Sequence, residues 1–202
     1  MKDEKTGPER LNALSDGVIA IALTLLVLGI DIPDDHDFNQ DGLLAFLIKL
    51  EPALIAYVTS FLIVAIYWII HHRIFNVVSF VNRTIIVLNI IFLFSISLIP
   101  FISKLKSLYR YDFFVVGIFA MAHIITGITL FFIWNYLTAN NEYLKFPVDR
   151  NMKRNIAYKI LVIPIISAIA IPVAAFNIHL GTYIFIFIPV IYGIIFRNKN
   201  QS

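Results

Sequence analysis

The stretch Arg10-Leu11-Asn12-Ala13-Leu14-Ser15-Asp16-Gly17-Val18-Ile19-Ala20-Ile21-Ala22-Leu23-Thr24-Leu25-Leu26-Val27-Leu28 decides what kind of molecule this chain is. Residues 17–30 carry no charge, but a helix needs about 20 apolar residues to cross a hydrocarbon core of roughly 30 Å. A full span must therefore reach back toward Arg10 and take Asp16 inside it. An ionisable group within a span is costly, which makes it a functional-site candidate by default. At 100° per residue, Gly17, Ile21, Thr24, Leu25 and Leu28 fall on one stripe, and Asp16 lies about 140° from Ile21. The carboxylate is expected to face a neighbouring helix and to find the Ser15 hydroxyl, Arg10 or a donor from another helix. The apolar stripe then faces something else.

The rest of the chain carries the same stamp. Of 202 residues, 59% are hydrophobic and 14% charged, where a soluble domain has about 25% charged residues. That composition excludes a water-soluble globule. Zero cysteines exclude a disulfide framework, a thiolate nucleophile and any sulfur-ligated metal. The modest net charge of +3 belongs to loops at a membrane surface rather than to a nucleic-acid interface. Uncharged stretches recur at 52–70, 84–103, 113–141 and 160–196. The last is too long for one helix, and Asn177-Ile-His179-Leu-Gly181-Thr182 divides it into a tight hairpin. The expectation is an all-α integral membrane fold, a single domain over 1–202 with six spans at about 10–31, 52–71, 84–103, 113–136, 158–177 and 181–197. Glu51-Pro52 reads as the start of the second helix, and Pro164, Pro172 and Pro189 as kinks in the last two spans. The acidic, proline-containing start (Asp3, Glu4, Pro8, Glu9) is unlike a cleavable signal peptide.

Lysine and arginine set the orientation. With the N-terminus inside, the inner segments hold Lys2, Lys5, Arg10, Arg73, Arg83, Lys145, Arg150, Lys153, Arg154, Arg197 and Lys199. The outer segments hold Lys104, Lys106 and Arg110, with Lys49 and Lys159 at span edges. Both termini are expected in the cytoplasm and the protein in the plasma membrane. The first outer loop, with Asp31, Asp34, Asp35, Asp37 and Asp41, reads as a solvated acidic turn or as a cation-concentrating rim.

Arg10-x-x-x-Leu14-Ser15-Asp16-Gly17, followed by Ala20-Ile21 and Thr24-Leu25-Leu26, resembles the signature of the transmembrane-protein-175 potassium channels, Arg-x-x-x-Phe-Ser-Asp near the start of the first span. Leu14 stands where the family has phenylalanine. The resemblance extends to Trp68-Ile-Ile-His71-His72-Arg73, where the family carries a Trp and a His-rich segment. One such motif in about 200 residues is similar to the single-repeat prokaryotic form. The resemblance implies a homotetramer in membrane lipid, with the first helix of each chain lining a central pore for permeant potassium ions and other monovalent cations. It implies a hydrophobic constriction at Ile21, further pore-facing rings at Leu25 and Leu28, and a ring of hydroxyls at Thr24. It also implies a polar network of Arg10, Ser15, Asp16, Trp68 and His71 that holds the pore helix.

The residues independently narrow the chemistry. No Thr-Val-Gly-Tyr-Gly loop is present, so a filter of backbone carbonyls is not expected. A hydrophobic constriction can gate by dewetting, and hydroxyls can partly replace an ion's hydration shell. Adjacent His71 and His72 point about 100° apart on a helix and cannot chelate one ion together, so no metal site is expected. His123 reads as a hydrogen-bonded residue between helices. Nothing calls for a cofactor, and no phosphate loop, nucleophile elbow or His-Glu-x-x-His motif marks an enzyme. The alternative is a proton-coupled secondary cation transporter using Asp16, His71 and His123, but such transporters show paired repeats and broken helices.

Overall fold

The computed structural model describes residues 7–31, 35–139 and 141–197. Of the charges counted above, Lys2, Lys5, Asp34 and Lys199 lie outside the described residues. Among the described residues the regular structure is helical apart from an isolated β-bridge between Val78 and Leu144. Helix α1, Glu9–Leu25, tightens into a 3-10 turn at Leu26–Gly29. It is followed by α2, Asp35–Asn76, α3, Arg83–Leu108, and α4, Phe113–Ala139. Helix α5, Arg150–Phe176, turns sharply into α6, Ile178–Tyr183, a 3-10 turn at Ile184–Ile186, and α7, Phe187–Arg197. Among the described residues five helices are long and apolar enough to cross a membrane, and Ile178–Ile194 is a shorter apolar segment. The sixth span is thus a composite, not one continuous helix from residue 181.

The largest departure from the sequence reading is α2. It is 42 residues long and runs through Pro52 instead of starting there. At 1.5 Å per residue it is about twice the length a bilayer core requires. Lys49, Glu51 and Pro52 interrupt the apolar run, but a helix that projects beyond the lipid need not be apolar. The backbone of Asp35, Asp37 and Asp41 is therefore helical, not a turn. Helix α5 likewise passes unbroken through Pro164 and Pro172, while Pro189 sits in the first turn of α7, where its missing N–H costs least.

Caps explain the other ends. The Asn82 side chain accepts from Ile85 N at 3.0 Å and starts α3. Asp149 accepts from Met152 N at 2.7 Å and starts α5 eight residues before the expected span. Asn177, with extended backbone, ends α5 and accepts from His179 N and Leu180 N at 3.0 and 3.2 Å. One residue thereby closes the hairpin.

The helices alternate in direction, so the start of α1, the end of α2, the start of α3, the end of α4 and the start of α5 share one end. There the two loops are stitched together: Ser79 N donates to Tyr143 O at 2.8 Å, and Lys145 N to Val77 O at 2.9 Å. At the opposite end Lys104 pairs with Asp31 and Arg110 with Glu51, each at 2.9 Å. Lys106, expected to face outward there, is instead buried at 6% exposure. Its ammonium lies 4.0 Å from the centre of the Phe119 ring and 4.3 Å from that of Phe185, where ring quadrupoles offset part of its lost hydration.

Helix α4 is the central pillar, packed most extensively on α5 and α3. Phe119, Leu130, Ile133 and Trp134 of α4 are fully enclosed with Tyr67 of α2, Phe92 of α3 and Ile160 of α5. Within lipid, such contact depends on close packing rather than on escape from water. Two glycines permit it. A Cβ on Gly127 lands 2.5 Å from Pro164 Cγ, and one on Gly181 lands 2.5 Å from the backbone Cα of Ala174. Gly181→Ala is expected to lower stability by about 1–3 kcal/mol, because backbone cannot move aside as a side-chain tip can. Gly117→Ala, with nothing within 4 Å of the added carbon, is expected to be neutral. Thermal unfolding of both variants in detergent, with an equal loss or none, would count against this packing.

Candidate functional site

The wheel of α1 divides into two halves. Leu11, Ser15, Ile19, Ala22 and Leu26 are buried against the bundle. Leu14, Asp16, Gly17, Ala20, Ile21, Thr24, Leu25, Val27 and Leu28 are exposed. At 100° per residue the exposed set occupies one arc of about 180°, with no buried residue inside it. Ile21 is 60% exposed, Leu25 44% and Leu28 68%. In the 3-10 turn residues three apart eclipse, so Leu28 stays in line with Leu25 although the α-helix has ended. Thr24 faces the same side, and its hydroxyl donates to the Ile21 carbonyl at 2.8 Å. With the proton committed to the backbone, its outward lone pairs are acceptors only.

Behind the buried half lies a directed polar relay. The Ser15 hydroxyl donates to the Leu11 carbonyl at 2.8 Å. Its oxygen therefore accepts from the Asn89 amide Nδ2 at 2.9 Å. That fixes the amide so that Oδ1 points at His71 Nε2, 2.8 Å away. His71 consequently donates from Nε2. Its ring is sandwiched by Phe75 at 4.3 Å and Phe92 at 5.2 Å. Ser15, Asn89 and His71 are all buried, so the relay joins α1, α3 and α2 where no water competes.

A second contact lies on the exposed flank. Trp68 Nε1 donates to Asp16 Oδ1 at 2.8 Å, and the Trp68 ring stacks on His72 at 5.5 Å. The expected network is thus two contacts, one buried and one exposed, both between α1 and its neighbours. Arg10 stands exposed on the first turn of α1 and bonds to none of Ser15, Asp16, Trp68 or His71. Asn89, the hub of the buried relay, was not among the residues marked from sequence. Its signal is a lone amide in the apolar run Val87-Leu88-Asn89-Ile90-Ile91.

His123 differs from expectation. Neither ring nitrogen has a hydrogen-bond partner among the described residues. The ring packs against Phe119 at 4.7 Å, while its backbone carbonyl accepts from the Tyr67 hydroxyl at 2.7 Å.

The two contacts separate by variant. Asn89→Ala removes the hub and, while Ser15 keeps its bond to the Leu11 carbonyl, leaves His71 Nε2 unpaired in the core, at a cost of about 1–3 kcal/mol. It is expected to lower the thermal stability of the single chain. Asp16→Ala removes an exposed acceptor and is expected to leave the single chain's melting nearly unchanged. Detergent melting curves on the two variants give the comparison, and equal destabilisation would merge the two contacts into one network.

The sequence has clear relatives. The family model described as Endosomal/lysosomal potassium channel TMEM175 matches residues 10–100, which include α1, the relay and Trp68. A potassium channel of Streptomyces collinus is 31% identical over 69% of this chain and 69% of its own length. A potassium channel of Chamaesiphon minutus is 37% identical over 52% of each chain, so that match spans about half the length of the relative. The crystal structure of a lysosomal potassium-selective channel TMEM175 homolog from Chamaesiphon minutus superposes with a TM-score of 0.81. The superposition has 25% identity and covers 92% of this chain and 96% of that one. The expected location in the plasma membrane is overturned by the animal relatives, which are named endosomal/lysosomal proton channels. The chicken protein is 36% identical over 52% of this chain and 22% of its own length.

Proposed function

This chain belongs to the TMEM175 family, and we propose that it is a potassium-preferring cation channel whose pore is lined by the exposed half of α1 in a homotetramer. The described residues form one membrane domain, with passive flux as its task and no catalysis. The observation that carries the reading is the split wheel of α1, with a carboxylate on the exposed half.

Exposed leucine and isoleucine alone would suit a helix facing lipid. Asp16 does not, because an aspartate costs about 2.5–3.5 kcal/mol at the centre of a lipid-facing helix. With Asp16 and Thr24 on it, this half of α1 calls for protein or water as its neighbour. One helix cannot enclose a conduit, so several copies must close around an axis. Ile21, Leu25 and Leu28 then form successive apolar rings, the narrowest at Ile21, which water leaves readily. Thr24 sets acceptor oxygens just beyond that neck, where a partly dehydrated cation needs them. The relatives named potassium channels support potassium as the preferred ion. Ser15 and His71 act through Asn89 by holding α1 from within, and Asp16 and Trp68 hold it at its flank, while Arg10 takes no part in either contact.

Ile21→Asn keeps a similar size and adds an amide, so hydration of the neck becomes favourable. Potassium flux into liposomes carrying a gradient is expected to rise, and discrimination against sodium to fall. Thr24→Ala is expected to weaken potassium preference with a smaller change in conductance. Leu26→Asn, at a position 2% exposed on the opposite half, is expected to impair assembly instead. Unchanged current and selectivity for Ile21→Asn in an assembled tetramer would remove this face as the constriction, and strict proton stoichiometry would favour the transporter.

A further inference from the structure

A helix that lines a conduit within a ring of copies has two edges, and each edge meets a different neighbour. On α1 the exposed arc runs from Asp16 at one edge to Leu14 and Leu25 at the other, about 160–180° away. The first edge adjoins α2, because Trp68 of α2 donates to Asp16 at 2.8 Å. The second adjoins α3. There a groove of about 320 Å³ opens, lined by Leu14 and Val18 of α1 and by Ile90, Leu93, Phe94 and Ser97 of α3.

The two edges are complementary in shape. On the α2 side a ridge stands out. Trp68 is 38% exposed and Phe61 is also exposed, about 20° from it on the helix wheel, with the small, half-buried Ala65 between them. The Asp16 carboxylate beside this ridge is ill suited to lipid. On the α3 side Leu93 is buried at the floor of the groove, while Leu14, Ile90 and Phe94 stand exposed along its rims, Phe94 at 64%. Ridges that enter grooves are the usual mode of helix contact.

Depth decides whether the two can meet. Rotation about an axis normal to the membrane leaves every residue at its own depth. Trp68 is tied to Asp16, and Asn89, next to Ile90, is tied to Ser15, so Trp68 and Ile90 stand at one level. Toward the opposite end, α2 proceeds from Trp68 through Ala65 to Phe61, and α3 from Ile90 through Phe94 to Ser97. Each path covers about 10 Å. Ridge and groove therefore occupy the same slab of the membrane.

We propose that the α2 ridge of one copy, Trp68, Ala65 and Phe61, packs into the α1–α3 groove of the next copy around the ring. The contact rests on the pore-lining role of α1 proposed above and goes beyond it by naming the two surfaces that close the ring. Because these surfaces differ, the interface is heterologous and is satisfied only in a closed cycle. It also sets the exposed Asp16–Trp68 pair against a neighbouring copy instead of lipid.

The chain contains no cysteine, so thiols can be placed singly or in pairs. The full chain carrying both Ala65→Cys and Phe94→Cys, treated in membranes with a short thiol cross-linker, is expected to give a ladder ending at the tetramer. Neither single variant is expected to cross-link, because a heterologous contact never sets a surface against itself. Ala65→Cys with Ile128→Cys is the control. Ile128 is exposed on α4 outside the groove, and it stands near the depth of Phe94 because Thr126 bonds to Ser95 at 3.0 Å. That pair is expected to stay monomeric on the gel. Native mass spectrometry of the unmodified chain reads assembly separately. A tetramer there, with no ladder from the Ala65–Phe94 pair, an equal ladder from the control pair, or a dimer from either single variant, overturns this contact and leaves the channel standing. A monomer there overturns both. Should the double variant misfold, Phe94→Ala gives a second measurement: it is expected to keep the melting of the single chain and to weaken the tetramer about tenfold, as truncating an interface aromatic does. Unchanged assembly of Phe94→Ala would assign the groove to lipid and overturn the contact.

Discussion

The relay from His71 through Asn89 to Ser15 is the constraint on which the arrangement of α1 depends. Each donor has one acceptor: Nε2 of His71 serves Asn89, the Asn89 amide serves Ser15, and Ser15 serves the Leu11 carbonyl. In an apolar interior an unmade hydrogen bond costs far more than a made one gains. Rotating α1 by one residue, or sliding it by one turn, would break the Asn89–Ser15 bond and strand the buried Asn89 amide. Leucine contacts alone would tolerate such a slip, since lipid offers hydrocarbon on every side. The relay therefore fixes the register of α1 against α2 and α3, and with it which half of α1 is left outside.

That division makes the sequence motif intelligible. Ser15 and Asp16 are neighbours in the chain but about 100° apart on the helix, so one turns inward to Asn89 and the other outward to Trp68. The pair marks the boundary between the buried and exposed halves. Gly17 and Ala20 then keep the exposed half thin near its start, and Ile21, Thr24, Leu25 and Leu28 broaden it further along. A helix pinned by its inner face near one end presents its outer face reproducibly in every copy, which a symmetric conduit requires.

Much of this was legible because helical periodicity is a local property. The stripe on α1, the places of the spans and the hairpin at Asn177 follow from spacing and from where charge is absent. What escaped is tertiary. Asn89 carries no charge, so a reading that marks ionisable groups passes over it, and only its contacts with Ser15 and His71 reveal its role. Lys106 reads as an outer-segment charge and Lys159 as a span-edge charge, because sequence does not show that Phe119 and Phe185 enclose the one or that the other is buried at 6% exposure. Arg10 shows the converse: proximity in sequence to Ser15 and Asp16 did not place it in contact with them. The extension of α2 was hidden because charged residues end an apolar run without ending a helix.

The two ends of the bundle differ in how they are held. The end near Ser15 has backbone bonds between its loops, caps at Asn82 and Asp149, and the buried relay. At the opposite end the polar tie on the segment after α1 is the Lys104–Asp31 pair, whose side chains are 41% and 66% exposed, and exposed ion pairs contribute only about 0–1 kcal/mol each. The α-helix of α1 also gives way to a 3-10 turn as it approaches that end, and 3-10 geometry forms weaker hydrogen bonds. Ile21 lies between these regimes, six residues beyond the relay and four before the α-helix ends. The exposed half of α1 is thus rigidly anchored on one side of Ile21 and lightly tethered beyond Leu25. Movement of the far segment would displace the Leu25 and Leu28 side chains first and leave Asp16 and Trp68 where the relay sets them.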